Sequence, residues 1–151
     1  MHSLVRRYLK TAIAFLGVGL ILGGWMIIGR EFRGASPSPY LTSAHTHAIF
    51  VGFVMMMIFG VALWLFPRPE KGDVRYSPRI AGAAYWLVTA GTAARIVGEL
   101  LHLITRGGWL SWFVVLAGLA QILGIGMFFY TMWSRIRPLG SQMREAKGER
   151  F

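Results

Sequence analysis

Ala44-His45-Thr46-His47-Ala48-Ile49-Phe50-Val51-Gly52-Phe53-Val54-Met55-Met56-Met57-Ile58-Phe59-Gly60-Val61-Ala62-Leu63-Trp64-Leu65-Phe66 contains no charged residue. Its length exceeds the roughly 20 residues that a helix needs to cross about 30 Å of hydrocarbon. Two of the chain's four histidines stand at its mouth. Three further apolar runs flank it, at 11–29, 80–104 and 109–133, and only the third run of the four carries charges, Arg95 and Glu99. Mean hydropathy is +0.53 over 151 residues, too apolar for an ordinary soluble domain. The fold class expected is an all-α integral membrane domain over 1–151. Its four antiparallel transmembrane helices fall near 9–29, 44–66, 79–105 and 109–135.

Charge sets the expected orientation. The N-terminus carries Arg6, Arg7 and Lys10; the second loop carries Arg68, Lys71, Arg75 and Arg79. The stretch after Trp133 carries Arg135, Arg137, Arg144, Lys147 and Arg150, against Arg30, Arg33 and Arg106 on the other side. By the positive-inside rule both termini are cytoplasmic, and 136–151 is a basic cytoplasmic tail. The net charge of +10 therefore reflects topology and affinity for anionic lipid, with no nucleic-acid signal. The first run is read as a retained helix, because Gly29-Arg30-Glu31-Phe32 is a poor small-residue cleavage site. With no cysteine, disulfides, thiolate-held clusters and cysteine nucleophiles are excluded. The expected location is a bacterial or archaeal-type inner membrane, with the lipid bilayer as first partner.

The residues able to carry chemistry gather at one membrane face. Arg95, Glu99 and His102 are spaced i, i+4 and i+7, one stripe of the third helix. Ionised groups inside a membrane are expensive and usually face the bundle interior. They form an internal ion pair, or they face a cofactor. His45 and His47 lie about 200° apart on a regular helix, so both cannot reach one centre unless the first turn is irregular. Imidazole ligates metals and heme iron, which makes His45, His47 and His102 the candidate ligands. Arg95, Glu99 and the small Gly52 are candidate cofactor contacts. Met55-Met56-Met57 splay around the helix and are read as packing. Gly19 and Gly23 form a GxxxG packing step, and Trp64, Trp109, Trp112 and Trp133 an interfacial belt. Tyr85, Thr89, Thr92 and Gln121 are expected to make interhelical hydrogen bonds.

The order of residues also resembles a known family. Tyr40-Leu41-Thr42-Ser43-Ala44-His45-Thr46-His47-Ala48-Ile49-Phe50-Val51-Gly52-Phe53, running on to Leu65-Phe66-Pro67-Arg68, is similar to the second transmembrane helix of heme–copper oxidase and nitric oxide reductase catalytic subunits. Arg75-Tyr76-Ser77-Pro78-Arg79-Ile80 and Tyr85-Trp86-Leu87 resemble the entry to that family's third helix. The resemblance covers helices one to three, and helix four by position only. It points to the small, roughly four-helix relatives described as subunit I-like. It implies one axial heme ligand on helix two, His45 or His47. The family's other heme and copper ligands come from later helices without counterparts here. A complete oxygen- or nitric-oxide-reducing centre is therefore not expected.

Three functions follow as expectations. The first is a b-type heme membrane protein, an electron carrier or a sensor of nitric oxide or oxygen, with His102 as the second ligand that geometry offers and Arg95 meeting the propionates. The second is a heme-free zinc or copper protein using His45, His47, Glu99 and His102. The third is a non-catalytic accessory subunit of a respiratory complex. A homodimer and a respiratory redox partner or quinone are the further partners considered.

Overall fold

A computed structural model describes residues 2–67, 69, 72–105, 107–136 and 147–148, with the backbone alone at His2. Arg68, Lys71, Arg106, Arg137, Arg144 and Arg150, counted above in the charge asymmetry, and most of the tail at 136–151 lie outside the described residues. Four helices follow one another: α1 (His2–Arg33), α2 (Pro39–Leu65), α3 (Pro78–Leu101) and α4 (Gly108–Met132), the last running into a 3₁₀ turn at Trp133–Arg135. All four are long and apolar enough to span a membrane, and no strand occurs among the described residues.

Helix α1 is longer at both ends than its apolar run, because Arg6, Arg7 and Lys10 continue the helical turns beyond the hydrophobic segment. It stops at Gly34, whose φ of +60° suits a residue without Cβ; the Gly34 and Ala35 amides return to the carbonyls of Arg30 and Gly29. Helix α2 starts at Pro39, a turn before the apolar run, since proline presets the helical φ at a first position where no amide is needed. Its first turn is α-helical. The irregularity comes later, as a nine-residue π-helical segment at His47–Met55. Such segments are rare and concentrate at functional sites.

Small residues set the helix spacing. A methyl group at Gly91 would sit 2.9 Å from the Ala117 carbonyl oxygen, and one at Gly124 2.8 Å from Val88. Helices α3 and α4 thus pack backbone to backbone, as membrane helices do where lipid supplies no hydrophobic drive. Helices α1 and α2 meet through Gly60 against Leu9, Gly52 against Phe15, Gly19 against Ile49 and Gly23 against His45, an antiparallel pairing read directly from the numbering. The GxxxG step of α1 is spent on α2. Gly52 likewise serves helix packing, because Phe15 occupies the space beside it.

Where the four helices converge, Tyr8 stands edge-on to Phe59, Tyr85 and Phe128, and Phe59 stacks on Phe128 at 3.7 Å. Met56 is fully buried and receives the Thr89 hydroxyl, while Met55 and Met57 pack at the core's margin. Gln121 donates to Thr92 at 2.9 Å, and Thr11 shares a hydrogen bond with Tyr85 at 2.8 Å. All six tryptophans face outward.

Helix α2 closes on an unexpected partner. Arg135, 1% exposed, donates from Nε to the Pro67 carbonyl at 2.8 Å and from Nη2 to those of Phe66 (3.0 Å) and Leu63 (3.2 Å). The last carbonyls of a helix have no intrahelical donor. A guanidinium from the 3₁₀ turn after α4 supplies it here, with Tyr76 against its face.

Candidate functional site

The histidine end of the bundle holds three separate constellations. In the first, the π segment opens at His47, two residues after His45, and the two imidazoles point to different neighbours. His45 is half-buried against α1. Its Nδ1–H donates to the Gly19 carbonyl at 2.9 Å, and its Cε1 lies 3.0 Å from where a methyl group on Gly23 would stand. A carbonyl only accepts, so Nδ1 carries the proton and Nε2 keeps its lone pair. His45 lines a groove of about 570 Å³ between α1 and α2, together with Gly23, Gly24, Met26, Arg30 and Thr42. Gly24 has open space where a side chain would begin. Arg30 is exposed at the groove and paired at 2.9 Å with Glu31.

The second constellation joins α2 to α3. Glu99, 2% exposed, accepts on Oε1 from the Ser43 hydroxyl at 2.6 Å and from Arg95 Nε at 3.0 Å. His47 donates from Nδ1 to the Ser43 carbonyl at 2.9 Å, and the same nitrogen stands 3.9 Å from Glu99 Oε2. Arg95 Nη1 fills the space left by Gly118 of α4, 2.8 Å from where a methyl group would begin. The carboxylate and guanidinium neutralise one another, which is what an apolar interior requires. Arg95 and Glu99 are thus the internal pair, tied to α2 by the Ser43 hydroxyl, while Glu99 Oε2 has no hydrogen-bond partner among the described residues.

The third constellation lies past the end of α3. His102 caps that helix and stacks on Tyr40 of α2, centroids 4.4 Å apart and planes at 14°. It lines a different cavity from His45. The three imidazoles therefore make separate contacts. Among the described residues no group of three His, Asp or Glu side chains is gathered closely enough to hold a metal ion.

With that geometry in view, the chain can be set beside known proteins. It is 27% identical over 103 residues to the Cbb3-type cytochrome c oxidase subunit CcoN1 of Stutzerimonas stutzeri. The two are distant relatives. The alignment takes in 68% of this chain but only 22% of the oxidase subunit, so the chain spans about a fifth of that relative. No family model matches, and no solved structure does. The relationship agrees with the resemblance to heme–copper oxidase subunits read from helix two.

Sequence reasoning missed Met26, Arg30 and Gly24 as groove residues. The signal was present for Met26 and Arg30, which follow Gly23 by three and seven positions on one helical face. What the sequence lacked was the knowledge that this face turns toward His45.

Proposed function

We propose that this chain is a membrane redox protein that binds heme in the α1–α2 groove, with His45 as an axial ligand. The observation that carries the reading is the His45 Nδ1–H bond to the Gly19 carbonyl. Heme- and metal-ligating histidines are oriented through such a bond on the second ring nitrogen, which leaves the first for the metal. The groove's size lies within the range of small-molecule and cofactor pockets. Gly24, with open space where a side chain would begin, leaves room for a flat macrocycle, and Arg30 offers a cation for a propionate. Bound heme supplies one-electron chemistry or gas binding, tuned by its ligands. The chain's own residues hold the imidazole through the Gly19 carbonyl and line one side of the groove. Glu99, paired with Arg95 and accepting from the Ser43 hydroxyl, holds α3 against α2 and so fixes the helix that carries His45.

The relative's name, a cytochrome c oxidase subunit, favours electron transfer in a bacterial inner membrane. Both termini are then cytoplasmic and the heme is near the external face. Met26, in the same groove, has a thioether that can serve as the sixth ligand; without it the iron is open to a diatomic gas. The outer side of the groove is open, and a second copy or a larger redox complex completes the enclosure.

The test is a reduced-minus-oxidised spectrum of the purified protein produced with ample heme. A sharp Soret and α-band pair is expected, lost in His45→Ala and kept in His47→Ala and His102→Ala. A folded, colourless protein that takes up no hemin refutes the proposal.

A further inference from the structure

At the end of the bundle opposite the histidines, Ser3, Arg6, Arg7 and Lys10 line a hollow of about 200 Å³ on the outer face of α1. They fall at i, i+3, i+4 and i+7 and so share one side of the helix. Val5, Tyr8 and Ala12 turn the other way, into the core. These cations stand well inside the ends of the neighbouring helices. Tyr8 packs on Phe59, six residues before α2 ends, and on Tyr85, seven residues after α3 begins, which places it about 9–10 Å inside both. Arg7 is beside it and Lys10 lies deeper still. Below them the same side continues as Ile13, Ala14, Gly17, Leu20 and Ile21, all exposed, with open space where a side chain at Gly17 would begin.

We propose that this face of α1 binds one anionic phospholipid, its phosphate held by Arg6, Arg7 and Lys10 and its acyl chains lying along the stripe from Ile13 to Ile21. Unpaired cations are costly against hydrocarbon, and long basic side chains reach back along the helix toward the head-group layer. Among the described residues none of the three makes an ion pair. The rest of the chain cannot supply the missing anions. Twelve of its sixteen basic residues lie in segments that begin or end at this end of the bundle, against four of its six acids. The amides of the first turn of α1, which have no carbonyl partner within the helix, add positive potential on the same side. A soluble phosphate would answer the charge alone. A phospholipid answers the charge and covers the alkyl stripe beneath it. The site uses no residue of the heme groove.

Native mass spectrometry of the purified, delipidated chain with added dioleoylphosphatidylglycerol tests this. One tightly held lipid per chain is expected, bound about tenfold or more tightly than dioleoylphosphatidylcholine. The triple variant Arg6→Gln, Arg7→Gln, Lys10→Gln weakens it about tenfold or more. Arg6→Lys with Arg7→Lys, which keeps the charge, retains most of the affinity and checks that the loss is not one of folding. Arg33→Gln, Arg75→Gln and Arg79→Gln together remove the same charge elsewhere and leave binding as in the wild type. His45→Ala also binds as the wild type does, so failure of the heme reading leaves this result standing. Equal weakening in the second triple variant, wild-type affinity in the first, or no preference over phosphatidylcholine overturns the proposal. Displacement of the lipid by millimolar inorganic phosphate also overturns it, in favour of a site for a soluble anion.

Discussion

Replacing Arg135 tests how the end of α2 is held. Its guanidinium serves three carbonyls at 2.8, 3.0 and 3.2 Å from a position that is 1% exposed. A hydrogen bond involving a charged group contributes about 1.5–3 kcal/mol net. Three such bonds set an upper bound of roughly 5–9 kcal/mol, but water at the helix end can replace part of it. Phe66 and Pro67 are only half-buried, so their carbonyls rehydrate when the guanidinium goes, whereas Leu63 is 2% exposed and its carbonyl stays dry. One lost charged bond, one orphaned acceptor and partial rehydration of two others give about 3–5 kcal/mol for Arg135→Met. Arg135→Lys keeps the charge but places one ammonium where a fork spanned three oxygens, at a cost of about 2 kcal/mol. Equilibrium unfolding in mixed micelles with increasing dodecyl sulfate measures both. A loss below about 1 kcal/mol for Arg135→Met, or a lysine variant equal to wild type, refutes the capping account.

Two further outcomes follow from the same physics. Glu99→Leu leaves Arg95 without its carboxylate beside α4 and should cost about 2–4 kcal/mol, at the low side of a broken buried pair because Arg95 is partly exposed; Glu99→Gln should recover about half. Equal stability of Glu99→Leu and wild type in the same unfolding assay would remove the pair from the account of α2–α3 packing. In the α2–α3 loop, the Ser134 hydroxyl, and then the Arg75 amide, hold the Asp73 carboxyl below its ordinary range. A depressed folded pKa stabilises above the ordinary value of about 3.9 and is lost as pH falls through the folded one. The melting-temperature gap between wild type and Asp73→Asn should therefore close in acid; a gap constant from pH 7 to pH 3 contradicts it.

Much of the bundle was legible in the linear sequence. Uncharged runs longer than a bilayer can only be satisfied there by helices, because the backbone must bond to itself. Short loops then make neighbours antiparallel, and Arg95–Glu99 at i, i+4 pair within their own helix. Even the divergence of His45 and His47 follows from helical angle alone. Buried Gln121 and Thr92 found each other for the reason foreseen, since apolar surroundings leave polar groups no other partner.

The tertiary structure decided which helix each imidazole meets. Distance along a helix gives the level of a side chain in the membrane, and on that basis His45, His47 and His102 share one end. It does not give azimuth, which depends on which grooves the neighbouring helices fill. Gly19 and Gly23 draw α1 against His45, Glu99 takes His47, and Tyr40 takes His102. The Arg135 cap was hidden for the same reason, as it joins residues 63–67 to 135 and no local pattern encodes a contact across that separation. The length of the apolar runs determined that four helices form and the order in which they follow one another. Packing, through the close approach that glycine permits, divided one level of histidines among three places.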